Sequence, residues 1–187
     1  MAEKVCPFWI GYLLSSPIRK LWHNPEKILE PYINQGMKVV DIGCAMGFFS
    51  LPLAKMVGQN GKVISVDIQE KMVRSLQKRA QKAGLLDRLK TRVCSENSFC
   101  LDSFNGEIDF ALAFSVVHEI PDPLVFFSEV YRALKFEGKL LMAEPKGRVS
   151  EKQFAVSIRT AKGHGFKIID RPQIRGTRAA LLQKQQQ

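Results

Sequence analysis

The sequence has few cysteines, no long apolar run and almost no low-complexity sequence. Its four cysteines, at positions 6, 44, 94 and 100, form no C-x-x-C pair, which disfavours a disulfide framework or a zinc site and predicts reduced thiols. The apolar run at 5–14 is about half of the roughly 20 residues that a membrane span requires, and it lacks a basic leader and a cleavage site. These absences predict a cytoplasmic protein that does not enter a membrane.

Acidic residues are outnumbered by basic ones, but the imbalance is uneven along the chain. The net charge of +10 divides into +1 for residues 1–35, +6 for 36–100, −5 for 101–145 and +8 for 146–187. The negative third segment argues against a uniformly basic nucleic-acid binder, although a basic face that meets RNA stays open. With 187 residues and 45% hydrophobic content, the chain is long enough for one domain with a full core and too short for two large ones.

Short apolar runs alternate with segments that have helical periodicity. The predicted strands are 37–43, 62–67, 89–94, 108–114, 139–143, 166–170 and 177–182, and the predicted helices are 48–57, 69–83, 123–134 and 151–161. Because the last two strands are separated by too few residues for a helix, we expect them to form an antiparallel hairpin. The order predicts an α/β fold that is Rossmann-like and doubly wound, with a mostly parallel seven-stranded sheet closed by that C-terminal hairpin.

The first strand ends in an acid and a glycine-containing turn, Asp41-Ile-Gly-Cys-Ala-Met-Gly47. In a doubly wound sheet, ligands bind at the carboxyl ends of the strands, and glycines there let the backbone approach a ligand closely. A nicotinamide dinucleotide fingerprint is G-x-G-x-x-G, whereas this turn has G-x-A-x-G and Phe48 at the third glycine position. The spacing disfavours an NAD(P)-dependent oxidoreductase, which remains an alternative.

Several segments together resemble the class I S-adenosylmethionine-dependent methyltransferases. The resemblance covers roughly residues 25–184 and rests on 39–47, 66–68, 108–114, 117–122, 134–138, 140–145 and the closing hairpin. It implies S-adenosyl-L-methionine as cofactor and a methyltransferase domain at 25–184, followed by a disordered tail at 185–187. Residues 1–24 would precede the domain either as a lid over the crevice or as an ordinary packed helix.

The resemblance also implies a set of cofactor-binding residues. They are Asp41, Gly43, Cys44, Ala45, Gly47, Asp67, Ile68, Glu96, Asn97, Phe114 and Ser115. Asp67 would accept hydrogen bonds from both ribose hydroxyls, and Ile68 would pack on the adenine. Ala45 stands where the family usually has glycine, and its methyl group is tolerable if its φ angle is negative.

Methyl transfer is an in-line displacement that requires no metal, and it requires a base only if the acceptor arrives protonated. His118 is the candidate base and Glu119 the second candidate, because both directly follow the fourth strand. A loop histidine that only caps backbone groups is the alternative interpretation of His118. We expect a small-molecule acceptor. Two alternatives stay open: an RNA methyltransferase, whose basic edge would be Arg171, Arg175 and Arg178, and a cofactor-binding protein without catalytic activity.

Overall fold

The computed structural model describes residues 22–95 and 97–186. Its strands are β1 (Lys38–Ile42), β2 (Lys62–Asp67), β3 (Leu89–Val93), β4 (Ile108–Phe114), β5 (Leu134–Pro145), β6 (Phe166–Asp170) and β7 (Thr177–Lys184). Its helices are α1 (Pro25–Leu29), α2 (Ser50–Met56), α3 (Glu70–Lys82), α4 (Pro123–Ala133) and α5 (Glu151–Gly163). The chain has the α/β, Rossmann-like fold with a seven-stranded mixed sheet that the alternation of patterns predicts.

The chain divides into two compact units, of which the first ends at Cys94. In the first unit β2 pairs in parallel with both β1 and β3. The interiors of β1 and β2 are buried on both faces, which explains why the sequence shows continuous apolar runs there instead of alternation. Strand β1 ends with Asp41 and Ile42, and the neighbouring β2 ends at Asp67. Two carboxylates therefore lie at the carboxyl end of this part of the sheet.

Helix α3 packs through one stripe and exposes the opposite face. It buries Met72, Val73, Leu76 and Ala80 at helical spacing. The basic residues of the other face, Lys71, Arg74, Lys78 and Lys82, are exposed, as their spacing predicts. Arg74 forms an ion pair with Glu70 one turn earlier at 2.7 Å, which is an ordinary surface contact.

The second unit runs from Ser95 to Gln187 and has the strand order β4-β5-β7-β6. Strands β4 and β5 are parallel, and β7 is antiparallel to both β5 and β6, so the predicted C-terminal hairpin is confirmed. A short 3₁₀ turn, Val117–Glu119, follows β4. Its position after a buried strand places His118 and Glu119 at the carboxyl end of β4.

Several boundaries differ from the sequence prediction, and the start of β5 differs most. Strand β5 begins at Leu134 instead of residue 139, because Leu134 pairs with Ile108. A register shift follows this pair, and the Lys-Phe-Glu-Gly sequence after Leu134 lacks the apolar run that would indicate a strand. Gln185, the first residue of the predicted tail, extends the contacts of β7: its backbone N–H donates to the Gly165 carbonyl, and its own carbonyl accepts from the Tyr131 hydroxyl. Both extensions come from pairing with distant segments, which local patterns do not encode.

The predicted N-terminal lid lies outside the described residues, apart from residues 22–24. The first described helix, α1, begins after Asn24, whose side chain accepts a hydrogen bond from the Lys27 N–H. In the described part of the chain, none of the helices combines the length and the apolar character that crossing a membrane requires.

Candidate active site

The turn between β1 and α2 is built from residues with left-handed backbone angles. Gly43, Ala45 and Gly47 have φ angles of 72°, 46° and 86°. The N–H groups of Gly43 and Cys44 both donate to the Val66 carbonyl, at 2.9 and 3.0 Å, and so tie the turn to the end of β2. The sequence D-I-G-C-A-M-G therefore makes a tight, strongly curved turn at the carboxyl end of the strands.

Ala45 does not have the negative φ on which its tolerance was predicted to depend. Its φ of 46° lies in the left-handed region, which costs a residue with a Cβ about 1–2 kcal/mol. The N–H group of Ala45 donates to the Asp67 Oδ2 atom at 2.8 Å. This hydrogen bond to the carboxylate at the end of β2 stabilises the left-handed conformation. Backbone strain of this kind recurs at ligand-binding turns.

The Asp67 carboxylate is held by backbone donors from two directions. Oδ2 accepts from Ala45 N and Oδ1 accepts from Gln69 N at 2.9 Å. Burial raises the pKa of the Asp67 carboxyl, and the N–H groups of Gln69, Ala45 and Ile68 oppose that shift. Each carboxylate oxygen has more than one acceptor site, so the fixed carboxylate retains the capacity to accept from a ligand that carries two hydroxyls.

Asp41 belongs to a buried polar chain. The Ser50 hydroxyl donates to Asp41 Oδ2 at 2.5 Å, and the Ser65 hydroxyl donates to Ser50 Oγ at 3.0 Å. The three side chains come from β1, α2 and β2, and all are buried. This network satisfies a carboxylate that is 2% exposed and holds the start of α2 against the strands.

Three further side chains shape the same turn. A Cβ on Gly47 would lie 2.3 Å from the Cδ1 atom of Leu76 in α3, so any other residue there would force Leu76 to shift. Arg79, also in α3, donates to the Met46 carbonyl at 2.6 Å. Burial raises the pKa of the Cys44 thiol well above its usual range, and the charges of Asp41 and Asp67 add to the effect, so the thiol stays protonated.

In the second unit, a buried glutamate of β5 organises the turn after β4. Glu144 is 1% exposed, and its Oε1 atom accepts from the N–H groups of Val116 and Val117 at 3.2 and 2.9 Å. Its Oε2 atom lies 2.5 Å from Nδ1 of His118. Three donors thus surround one carboxylate, as a buried charge requires.

The backbone groups of the turn are capped by Glu144, and the predicted base His118 bonds to that carboxylate. The hydrogen bond with Glu144 raises the pKa of the His118 imidazole; burial opposes the shift, the charge of Glu119 adds to it, and Arg148 opposes it. Glu119 Oε1 lies 3.8 Å from His118 Nε2 and 3.6 Å from an Arg148 nitrogen. His118 and Glu119 are therefore neighbours in one charged cluster.

The other predicted residues are placed as follows. Phe114 is buried at the end of β4, and the next residue, Ser115, has a left-handed φ of 60° and donates to the Ala143 carbonyl at 2.7 Å. Ile68 is half-buried directly after Asp67, and Asn97 is exposed. Glu96 lies outside the described residues. The first unit thus holds Asp41, Gly43, Cys44, Ala45, Gly47, Asp67 and Ile68, and the second holds Asn97, Phe114, Ser115, His118 and Glu119.

Sequence reasoning missed Glu144 as a site residue, although a signal was present. The run Leu140-Leu-Met-Ala-Glu-Pro145 places a single carboxylate in an otherwise apolar strand. A charge in such a strand is costly unless it has partners, so an isolated acid there indicates a built polar site. Among residues 22–95 and 97–186, no group of three or more His, Cys, Asp or Glu side chains is placed to hold a metal ion.

Comparison with known proteins identifies a family and a close structural match. A family model described as "Methyltransferase domain" matches residues 33–181. A solved structure of a SAM-dependent methyltransferase from Aquifex aeolicus superposes with a TM-score of 0.84 at 25% sequence identity, covering 96% of this chain and 98% of that one. The match extends over nearly the whole of both chains.

Two curated relatives differ in the acceptor that their names give. A demethylmenaquinone methyltransferase from Oceanobacillus iheyensis is 28% identical over 132 residues, which are 71% of this chain and 54% of the relative. A 23S rRNA (uracil-C5)-methyltransferase from Acinetobacter baumannii is 41% identical over 54 residues, which are 29% of this chain and 12% of the relative. The chain thus spans about half the length of the first relative and a small part of the second.

Proposed function

Because the chain belongs to the methyltransferase domain family and is a class I S-adenosylmethionine-dependent methyltransferase, we propose that it methylates a small-molecule acceptor. The observation that carries the cofactor assignment is the Asp67 carboxylate at the end of β2, which two backbone N–H groups hold beside the strained turn. The small-molecule acceptor is supported by the alignment of 71% of this chain with a demethylmenaquinone methyltransferase. When bound, the cofactor supplies an electrophilic methyl group on a sulfonium centre. The chain's own residues then have to hold the cofactor, align the acceptor and, where needed, remove a proton.

The residues of the first unit fit a nucleoside that bears an amino acid. Asp67 would accept from the ribose hydroxyls, and Ile68 would offer an apolar surface to the adenine. Gly43, Cys44, Ala45 and Gly47 form a turn whose backbone can approach the amino-acid portion closely, next to the buried carboxylate of Asp41. A pyrophosphate would instead favour a turn without carboxylates, since like charges repel.

The residues of the second unit fit proton removal from the acceptor. His118 bonds to Glu144 through Nδ1, and its Nε2 atom makes no hydrogen bond with any residue that the structure describes. We assign His118 as the base and Glu119 as its charged neighbour. Phe114 and Ser115, together with Glu96 and Asn97, complete the proposed set.

The acceptor is proposed to be small, and demethylmenaquinone is the first compound to test. A relative with that acceptor in its name aligns with 71% of this chain, whereas the alignment with the rRNA enzyme covers only 29%. Transfer of a labelled methyl group from S-adenosylmethionine should be measured with demethylmenaquinone in its quinone and quinol forms, and with 23S rRNA. Methylation of the RNA alone would contradict the small-molecule proposal.

Cofactor binding is tested by replacing Asp67. Asp67→Asn should weaken S-adenosylmethionine binding by about 10- to 100-fold, because a hydrogen bond to a charged group contributes about 1.5–3 kcal/mol. Isothermal titration calorimetry measures the affinity, and circular dichroism checks the fold. The matched control is Asp102→Asn, which alters an exposed carboxylate paired with Arg132 at 3.5 Å and should bind like the wild type.

A thermal-shift screen distinguishes this function from the nicotinamide alternative. S-adenosylmethionine and S-adenosylhomocysteine should raise the melting temperature of the wild-type protein, whereas NAD and NADP should not. Unchanged S-adenosylmethionine affinity in a folded Asp67→Asn variant would falsify the assignment of this carboxylate to the ribose.

A further inference from the structure

The Glu144 carboxylate is held in one orientation by backbone donors from the turn after β4. Two adjacent backbone N–H groups, those of Val116 and Val117, donate to its Oε1 atom. Because the donors belong to the turn that carries His118, they fix the carboxylate plane relative to that turn. The Oε2 atom is then directed at His118 Nδ1, 2.5 Å away. The carboxylate reaches this turn from β5, so the contact joins residues 26 positions apart in the chain.

This geometry determines which ring nitrogen of neutral His118 carries the proton. An ionised carboxylate only accepts hydrogen bonds, so the contact requires a proton on Nδ1. A neutral imidazole has one N–H group, and Nε2 is then the atom with a free lone pair. Nε2 is buried and makes no hydrogen bond within the described part of the chain, and the nearest carboxylate oxygen, Glu119 Oε1, is at 3.8 Å. A buried polar atom without a partner is unusual in a folded protein and marks Nε2 as an atom whose partner comes from outside these residues.

We propose that Glu144 is a positioning residue that holds His118 in the Nδ1–H form, so that Nε2 accepts a proton from an acceptor that arrives protonated. The inference rests on the proposed function for the base role of His118. The inference adds two things to that function: Glu144 as the residue that fixes the tautomer of the base, and an acceptor class that carries a hydroxyl proton. A Glu144 that only capped the turn would need its bonds to Val116 and Val117 and no bond to the imidazole.

The step balances with no further reactant other than solvent water. The acceptor O–H bond breaks, and its proton forms a bond with the Nε2 lone pair. The electron pair that is released makes the acceptor oxygen, or a ring carbon conjugated with it, the nucleophile that forms the new bond to the methyl carbon. When the nucleophile is a ring carbon, the hydrogen on that carbon leaves as a proton to water, and the electron pair of the C–H bond restores the aromatic ring. The sulfur–methyl bond breaks, its electron pair returns to sulfur, and S-adenosylhomocysteine leaves. Glu144 stabilises the imidazolium that results, because its negative charge lies against Nδ1.

The charged groups around His118 give the proposal a pH dependence of defined sign. Glu144 and Glu119 favour the imidazolium, while Arg148 and burial disfavour it, and the net effect raises the pKa of His118 above its usual 6.5. Only the neutral ring is a base, so kcat/KM should rise with pH through an apparent pKa above 6.5. Removing the charge of Glu144 should lower that apparent pKa.

Glu144→Gln separates positioning from capping. The amide oxygen can replace Oε1 and keep the bonds to Val116 and Val117, so the turn should stay folded. The amide NH₂ group then faces Nδ1 and donates to it, which moves the single ring proton of neutral His118 to Nε2. The base is lost while the histidine itself remains.

The matched control is Glu129→Gln. Glu129 is a second buried glutamate of the same unit, 5% exposed, and its Oε2 atom accepts from the Phe99 N–H at 3.0 Å. The substitution is chemically identical and also leaves an oxygen for the backbone donor. It therefore measures the effect of neutralising a buried glutamate that has a structural role.

The test is nitrogen-15 NMR of the 187-residue chain labelled at its three histidines, with His118→Asn used to assign the His118 signals. At a pH where the ring is neutral, wild type and Glu129→Gln should show the Nδ1–H form, and Glu144→Gln the Nε2–H form. The same tautomer in wild type and Glu144→Gln would overturn the proposal. This measurement needs no acceptor, so its outcome is independent of whether the proposed function holds.

Turnover with the quinol form of demethylmenaquinone tests the catalytic consequence. Glu144→Gln should lower kcat by about 10²- to 10⁴-fold with little change in the KM for S-adenosylmethionine, and Glu129→Gln should stay within about twofold of wild type. Glu144→Asp, which keeps a carboxylate, should recover part of the rate. A Glu144→Gln enzyme with the wild-type rate and pH profile would overturn the positioning role.

Discussion

At the scale of single residues, Ala45 is the position where the turn carries a measurable conformational cost. Its φ of 46° is readily adopted by glycine but is strained for alanine, which has a Cβ atom. Ala45→Gly should raise the free energy of unfolding by about 1 kcal/mol, since the left-handed penalty exceeds the entropy that glycine adds to the unfolded chain. Urea denaturation measures the change.

The control for Ala45→Gly is the same substitution inside a helix. Ala155 lies within α5, where glycine is unfavourable, so Ala155→Gly should lower the free energy of unfolding by about 1 kcal/mol. Opposite signs at the two positions would establish that the effect comes from φ. A loss of stability at both positions would contradict the left-handed conformation of Ala45.

Residue-scale prediction from the sequence succeeds where a short motif fixes the surroundings and fails where a partner is distant. Asp67 was placed at the end of a strand by its own neighbours, and the structure has it there. The partner of His118 is Glu144, and only the pairing of β4 with β5 brings their segments together. An isolated sequence shows that Glu144 needs a partner but does not show which one.

At the scale of elements, the turn after β1 depends on close packing against α3. Gly47→Ala would place a Cβ 2.3 Å from Leu76 Cδ1, and Leu76 is fully buried. The substitution should therefore cost about 1–3 kcal/mol for the forced shift, in addition to about 1 kcal/mol for a φ of 86°. Chemical denaturation gives the total.

Gly84→Ala isolates the backbone part of that cost. Gly84 has a φ of 65°, but nothing lies within 4 Å of a Cβ built on it. The variant should lose only about 1 kcal/mol. Combining Gly47→Ala with Leu76→Ala should give less than the sum of the two single losses, because the truncated side chain makes room. Equal losses for the two glycine variants would mean that the packing on α3 is not limiting.

Element boundaries were predictable where apolar runs and caps coincide. The bounds of β2, β4 and β6 match the predicted runs, and α4 begins at its proline after Asp122, which caps it. The start of β5 was not predictable, since Lys135, Phe136 and Glu137 are exposed although they belong to a strand. Solvent-facing strand residues carry no apolar signal, so such a segment resembles a loop in the sequence.

At the scale of the whole molecule, the alternation of strands and helices was sufficient to predict the fold class. Buried parallel strands and one-sided helices each leave a strong periodic signal, and the short link before β7 permits only a hairpin. The acceptor leaves no comparable signal, because it depends on the shape of a cavity to which many segments contribute. Net charge is the global property that bears on the choice between a small molecule and RNA.

The uneven charge predicts weak, salt-sensitive RNA binding. Residues 146–187 carry a net charge of +8, and Arg171 and Arg175 are exposed between β6 and β7, whereas Arg178 donates to the carbonyls of Lys146 and Val149. Fluorescence anisotropy with a labelled RNA should show binding at 50 mM salt that is largely lost at 200 mM. Replacing both Arg171 and Arg175 by Gln should reduce the slope of log K against log salt concentration by up to about 2. Arg74→Gln, on α3, serves as the control and should leave that slope unchanged. An RNA that stays bound at 200 mM salt and accepts the methyl group would identify RNA as the acceptor and contradict the small-molecule proposal.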